Sequence, residues 1–165
     1  MLLRTAQPAD AAAVAAVHVR SWQVGYRGLL PDEYLDALQP KDRAQHYTFG
    51  DPRQPATIVA IEAETICGFA TTAPSRDDQR GTGELLALYV HPERWGLGIG
   101  RALLQDALAR LRRQGFEQAS LWLLVGNERA ERFYRIDGWA PDGSRRQDEV
   151  WGLTVDEIGY RRSLT

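Results

Sequence analysis

The chain has 165 residues, enough for one domain with a substantial core, and its 44% hydrophobic and 25% charged residues make an ordinary globular balance. A formal net charge of −2 gives no reason to expect nucleic acid or an anionic membrane as partner. No apolar run approaches the roughly 18 residues of a membrane span, nothing at the start resembles a signal peptide, and a single cysteine, Cys67, excludes an internal disulfide framework; the expected compartment is cytoplasmic.

Leu2 to Thr5 is a plausible first strand. Pro8 and Asp10 suit a first helical turn, and an alanine-rich pattern with Val14, Val17 and Val19 continues to about Trp22. Ser21 to Leu38 changes character: Trp22, Tyr26, Gly25 and Gly28 make an aromatic loop, and Pro31 begins a short helix. Aromatics on such a loop serve either as core plugs or as a binding wall. Thr57–Ile61 and Ile66–Thr72 form a hairpin around Glu64, and Arg76 to Gly83 is a polar, mobile-looking connection.

The chain is organised around Glu84-Leu-Leu-Ala-Leu-Tyr-Val-His-Pro-Glu-Arg-Trp-Gly-Leu-Gly-Ile-Gly100. Leu85 to Val90 is uniformly apolar, as a strand buried on both faces would be, and Pro92 stops it. Glycines at 96, 98 and 100 precede a helix from about Ile99 to Gln114, with Ile99, Leu103, Leu104, Ala107, Leu108 and Leu111 as its apolar stripe and Gly115 as its stop. A strand, a glycine loop and a helix start can cradle an anion on backbone amides. They can also be only a tight turn. A dinucleotide fingerprint would need glycine where Arg101 stands, and a P-loop would need Gly-Lys-Ser/Thr.

Ser120 to Val125 is a second buried strand; a helix between it and the central strand makes the two a parallel pair. A further helix is expected from Glu128 to Ile136, then a strand from Trp139, a turn or kink at Asp142-Gly143, polar residues from Arg145 to Glu149, and a last strand within Val155 to Leu164. Asn127, Ala130 and Tyr134 share one helix face at spacings of three and four. That row could hold a ligand by an amide, a small methyl and a phenol. It could equally be an N-cap with Phe133 and Tyr134 as core packing.

Two motifs carry a resemblance. Trp95-Gly-Leu-Gly-Ile-Gly100 resembles the pyrophosphate loop, Gln/Arg-x-x-Gly-x-Gly/Ala, of the GNAT superfamily acetyltransferases, with Trp95 in the Gln/Arg position. Asn127 to Trp139 resembles their Asn-x-x-Ala-x-x-Phe-Tyr-x-x-x-Gly-Phe motif, with Trp139 for the final Phe. The order of elements matches along nearly the whole chain. The resemblance implies a single N-acetyltransferase domain over 1–165, with an α/β fold: a mixed, mostly antiparallel central sheet of about seven strands with a splayed parallel pair, flanked by about four helices.

It further implies acetyl-CoA as co-substrate, with no metal. The pyrophosphate would rest on Trp95, Gly96, Leu97, Gly98, Ile99 and Gly100, near Arg101, and the pantetheine arm on the backbone of Leu88, Tyr89 and Val90. Asn127, Ala130 and Phe133 would line it. Tyr134 is the general-acid candidate, since a phenol near pKa 10 can give its proton to a thiolate at pH 7. Glu84 is the general-base candidate, or else a solvated strand-end charge. Trp22 and Tyr26 would form the substrate wall. Cys67, in apolar strand-like surroundings, is expected to be structural, and His18, His46 and His91 show no metal spacing.

The implied reaction is direct transfer of acetyl to a primary amine of a small molecule in a ternary complex. Alternatives are a protein lysine or N-terminal acetyltransferase and a non-catalytic acyl-CoA-binding module. Pairing into a homodimer through the last strands is a further expectation from the family. No dense acidic cluster marks a polycation site; Asp32, Glu33 and Asp36 lie near the aromatic loop.

Overall fold

The fold is described from a computed structural model covering residues 1–77 and 80–165. Among the described residues the strands are β1 (Leu2–Thr5), β2 (Ala56–Glu62), β3 (Thr65–Pro74), β4 (Thr82–Val90), β5 (Gln118–Leu124), β6 (Ala140–Val150) and β7 (Leu153–Ser163). The helices are α1 (Ala11–Gly25), α2 (Asp32–Ala37), α3 (Pro40–Ala44), α4 (Ile99–Arg113) and α5 (Glu128–Ile136). The strands form one sheet in the order β1-β2-β3-β4-β5-β7-β6. Pairing is antiparallel for β1–β2, β2–β3, β5–β7 and β6–β7, and parallel for β4–β5. This is the expected mixed sheet with one parallel pair. The parallel register runs from Thr82–Gln118 to Glu84–Ser120, the first three residues of β4.

Two expectations need correction. Leu86 to Tyr89 are half-buried, so the central strand is not covered on both faces along its length. The polar connection from Arg76 is shorter than expected: β4 takes up Thr82 and Gly83, and positions 78 and 79 lie outside the described residues. The strand expected from Trp139 is β6, which runs on through the polar residues 145–149, and its register shifts between Pro141 and Arg145. That shift is where a kink was expected at Asp142-Gly143.

The chain divides into two compact units. The first comprises Met1–Ala73 and Leu85–Arg110. Its core joins Ala6, Val14, Val17, Val59 and Phe69, with Ala87 and Tyr89 packed against them. Arg4 donates to both oxygens of Asp10 at 2.7 and 3.0 Å, tying β1 to the turn that opens α1. Those bonds hold the Asp10 carboxyl below its usual range. Cys67 is buried, and burial pushes its thiol up, as suits a structural residue. The second unit comprises Pro74–Glu84 and Leu111–Thr165. In it Gly83 allows a close approach: a Cβ there would lie 2.6 Å from Leu111 Cδ2.

His18 is the one buried histidine of the first unit's core. Its ring stacks on Tyr89 with centroids 4.7 Å apart, and Nδ1 lies 2.9 Å from the Tyr47 hydroxyl. Burial first, and the Arg43 charge second, push its pKa well below 6.5. Burial likewise pushes the Tyr47 phenol up to about 12. A histidine kept neutral in the fold contributes stability in full above the unfolded-state pKa of about 6.5. Below that pH the unfolded chain takes up the proton first, so the contribution is lost as pH falls. The melting temperature is therefore expected to fall as pH drops through about 6.5. Thermal unfolding of wild type and His18→Gln checks this: the variant is expected to lack that part of the fall.

Candidate active site

Both motif regions are built by local rules, and each is described within its own unit. In the first unit, β4 ends at Val90 and the chain turns through Pro92 into the glycine loop. Trp95 Nε1 donates to the Val90 carbonyl at 2.8 Å. The tryptophan that departs from the family pattern therefore pins the loop to the end of its strand. Gly96 and Gly98 have φ of +79° and +85°, a region that side-chain-bearing residues rarely adopt. A Cβ at either would meet nothing within 4 Å, so the surface they present is open.

α4 begins immediately after. Its first backbone bond runs from Ala102 N–H to the Gly98 carbonyl at 3.1 Å. The amides of Ile99, Gly100 and Arg101 thus precede the helical ladder and stand at the positive end of its dipole. Arg101 is exposed beside them. Such a start binds an anion by its backbone. Ile99, Leu103, Leu104, Ala107, Leu108 and Leu111 are all buried, which fixes the helix that carries those amides.

Within the same unit, Leu88 and Tyr89 are half-buried and Val90 is buried. The Tyr26 and Tyr89 hydroxyls lie 3.1 Å apart. Trp22 is only 5% exposed and packs against His18 and Tyr26 with ring centroids at 5.9 and 5.0 Å. Tyr26, half-buried, therefore presents more surface than Trp22 does. Asp32 and Asp36 are paired in solvent with Arg27.

In the second unit, Asn127 caps α5: its Oδ1 accepts from the Ala130 amide at 3.2 Å. A carbonyl oxygen used as a cap leaves the Nδ2 hydrogens of the same side chain able to donate. The capping and binding readings are thus compatible. Ala130 and Phe133 are half-buried. Tyr134 is 7% exposed and makes edge contacts with Phe133 and Trp139, centroids 5.0 and 5.6 Å away.

Glu84 is 1% exposed, so it is not a solvated strand-end charge. Its carboxylate accepts from the Arg76 backbone amide at 3.1 Å and from Arg76 Nη2 at 2.7 Å, with Nε at 3.2 and 3.3 Å from its two oxygens. Those bonds push the Arg76 guanidinium further up from its already high pKa. Arg76 carried no signal in the sequence: it stands eight residues from its partner in a stretch with no periodicity. Among the described residues no group of three or more His, Cys, Asp or Glu side chains is arranged to hold a metal ion.

The helix start after the glycine loop and the Asn-capped α5 both fall within the stretch that a known family matches. The family model for the acetyltransferase (GNAT) family matches residues 18–139. The chain belongs to this family. An uncharacterized N-acetyltransferase of Bacillus subtilis, YuaI, is 30% identical over 164 residues, covering 95% of this chain and 90% of the relative. Among solved structures, a ribosomal-protein-alanine N-acetyltransferase from Brucella melitensis superposes with a TM-score of 0.76 at 22% identity, over 99% of both chains. The structure of yncA, a putative acetyltransferase from Salmonella typhimurium with its cofactor acetyl-CoA, superposes at 0.73 and 22% identity, over 100% of this chain and 94% of the other. As a GNAT acetyltransferase the chain has the fold on which Tyr134 and Glu84 can be weighed as chemical groups. No helix among the described residues is long and apolar enough to cross a membrane.

Proposed function

We propose that this GNAT acetyltransferase moves acetyl from acetyl-CoA to a primary amine of a small molecule, by direct transfer. The observation that carries the reading is the open, positive-φ pair Gly96 and Gly98 at the start of a buried-faced helix. Residues 95–100 hold the pyrophosphate on backbone amides, with Arg101 as an exposed counter-charge. Leu88, Tyr89 and Val90 offer the backbone edge for the pantetheine arm, Asn127 donates to it from Nδ2, and Ala130 and Phe133 line it. Tyr26, more than Trp22, serves the acceptor wall.

Bound acetyl-CoA supplies the thioester whose acetyl group the amine nitrogen takes. Tyr134 holds the proton that the departing thiolate needs. Glu84 accepts the proton of the amine when the substrate ammonium replaces the Arg76 guanidinium on its carboxylate. Steady thiol release from acetyl-CoA on adding primary amines, and none without them, is expected of the purified chain. Saturable acetyl-CoA binding with no release for any amine would reduce the protein to a binding module.

A further inference from the structure

The second unit assembles a charged face from four separate segments. Glu84 on β4 and Ser120 on β5 are register partners in parallel strands, so their side chains share a face. Trp122, two residues on, shares it. Leu124, two further, pairs with Glu157 on β7, and Glu157 pairs with Arg146 on β6. Asp148, two residues beyond Arg146, completes the row. Asp77 joins through the Trp122 indole, whose Nε1 donates to its Oδ2 at 3.2 Å. The acidic cluster that the linear sequence did not show is therefore made by folding.

The charges on this face do not balance. Arg76 binds Glu84, and Arg146 binds Glu157 at 2.9 Å and Asp148 at 3.3 Å. Arg161 on β7, the register partner of Ser120, stands on the same face and binds Asp142 at 3.0 Å. Against these three guanidiniums stand, among the described residues, five carboxylates: Asp77, Glu84, Asp142, Asp148 and Glu157. The groups feel one another, since Arg76 interacts with Glu84, Asp148 and Asp77, and Glu157 with Arg146, Asp148 and Arg76. Burial pushes the Glu157 carboxyl up, against the lowering effect of the Arg146 guanidinium bound to it. Trp122 already receives a cation on its ring, the Arg146 guanidinium 4.3 Å from the centroid.

A second observation is independent of charge. Ser120 Oγ is buried without a hydrogen-bond partner among the described residues, in a residue only 7% exposed. Buried hydroxyls in finished sites are satisfied. This one stands on β5, at the register partner of Glu84. The Arg76 side chain that occupies the Glu84 carboxylate is itself half in water, so a ligand cation can exchange for it.

We propose that this face is the acceptor subsite of the acetyltransferase and that it selects linear amines carrying two or more positive charges. One ammonium replaces Arg76 on Glu84 and donates to Ser120 Oγ. The methylene chain lies along Trp122, and a further ammonium meets Glu157 and Asp148. This deepens the acetyltransferase reading and rests on it for the word acceptor, while the binding preference can be measured without any transfer.

The test is calorimetric titration of the full chain, with and without coenzyme A, using butylamine, 1,4-diaminobutane and spermidine. At least tenfold tighter binding of the diamine than of butylamine is expected, and tighter binding again of spermidine. Glu157→Gln should remove that tenfold and leave butylamine unchanged. Glu64→Gln, an exposed turn residue far along the chain that changes net charge equally, should leave the whole series unchanged. If melting shows Glu157→Gln to be unfolded, Asp77→Asn at the exposed rim carries the test, with at least a threefold loss for spermidine only. Equal affinities across the series, or the same loss in Glu64→Gln, would overturn the subsite. Thiol release is scored separately. Butylamine acetylation without a polyamine preference removes the subsite alone. Polyamine binding without thiol release removes the transferase reading alone.

Discussion

Gly98→Val is expected to weaken acetyl-CoA binding by about 30-fold or more, which corresponds to about 2 kcal/mol. Two effects act together. At φ +85° a β-branched residue is strained by of order 1–3 kcal/mol, so the loop leaves the conformation that aims its amides outward. The added side chain also enters space that is empty beyond the backbone, the space an incoming phosphate must use. Gly98→Ala separates the two, since alanine brings most of the strain and little of the bulk; it should fall between wild type and valine. The loop is exposed and α4 is held by its buried stripe, so both variants should stay folded. Titration with acetyl-CoA reads the effect. An unchanged Kd for Gly98→Val would mean that the glycines serve only the turn.

Tyr134→Phe is expected to lower kcat by about 100-fold, the lower end of what a positioned general acid contributes, with acetyl-CoA affinity within about threefold of wild type. Phenylalanine preserves the ring and so the edge contacts to Phe133 and Trp139. Only the hydroxyl is lost. A loss confined to kcat marks an interaction made in the transition state and not in the ground state. Thiol-release kinetics over a range of acetyl-CoA and amine concentrations gives the separation. A kcat within threefold of wild type would assign proton delivery to solvent and leave Tyr134 as packing.

The sequence was most legible where one periodicity ruled. The apolar stripe of α4, its stop at Gly115 and the span of α5 from Glu128 to Ile136 agree with the structure because each depends on neighbours three or four residues away. α3 escaped because five residues, Pro40–Ala44, carry no apolar repeat. The strand expected from Trp139 is β6, but its length was hidden because an edge strand exposes polar residues. Leu85 to Val90 misled by uniformity: apolar residues on a strand do not say whether both faces are covered.

The motifs singled out Asn127 and the glycines as candidates. They could not locate Arg76, nor the gathering of Asp77, Glu84, Asp148 and Glu157, because those contacts join segments with no fixed spacing. The same holds for Trp95, whose bond to Val90 shows that the residue departing from the motif serves the loop in another way.

Calorimetric titration of the full chain with acetyl-CoA, beside Asn127→Ala, tests the cofactor site most directly. Saturable one-site binding is expected for wild type. Asn127→Ala should weaken it about tenfold, or about 1.4 kcal/mol, with a melting temperature lowered by the lost helix cap. No saturable binding to wild type at millimolar acetyl-CoA would contradict an acetyl-CoA-dependent enzyme and return both motifs to structural duty.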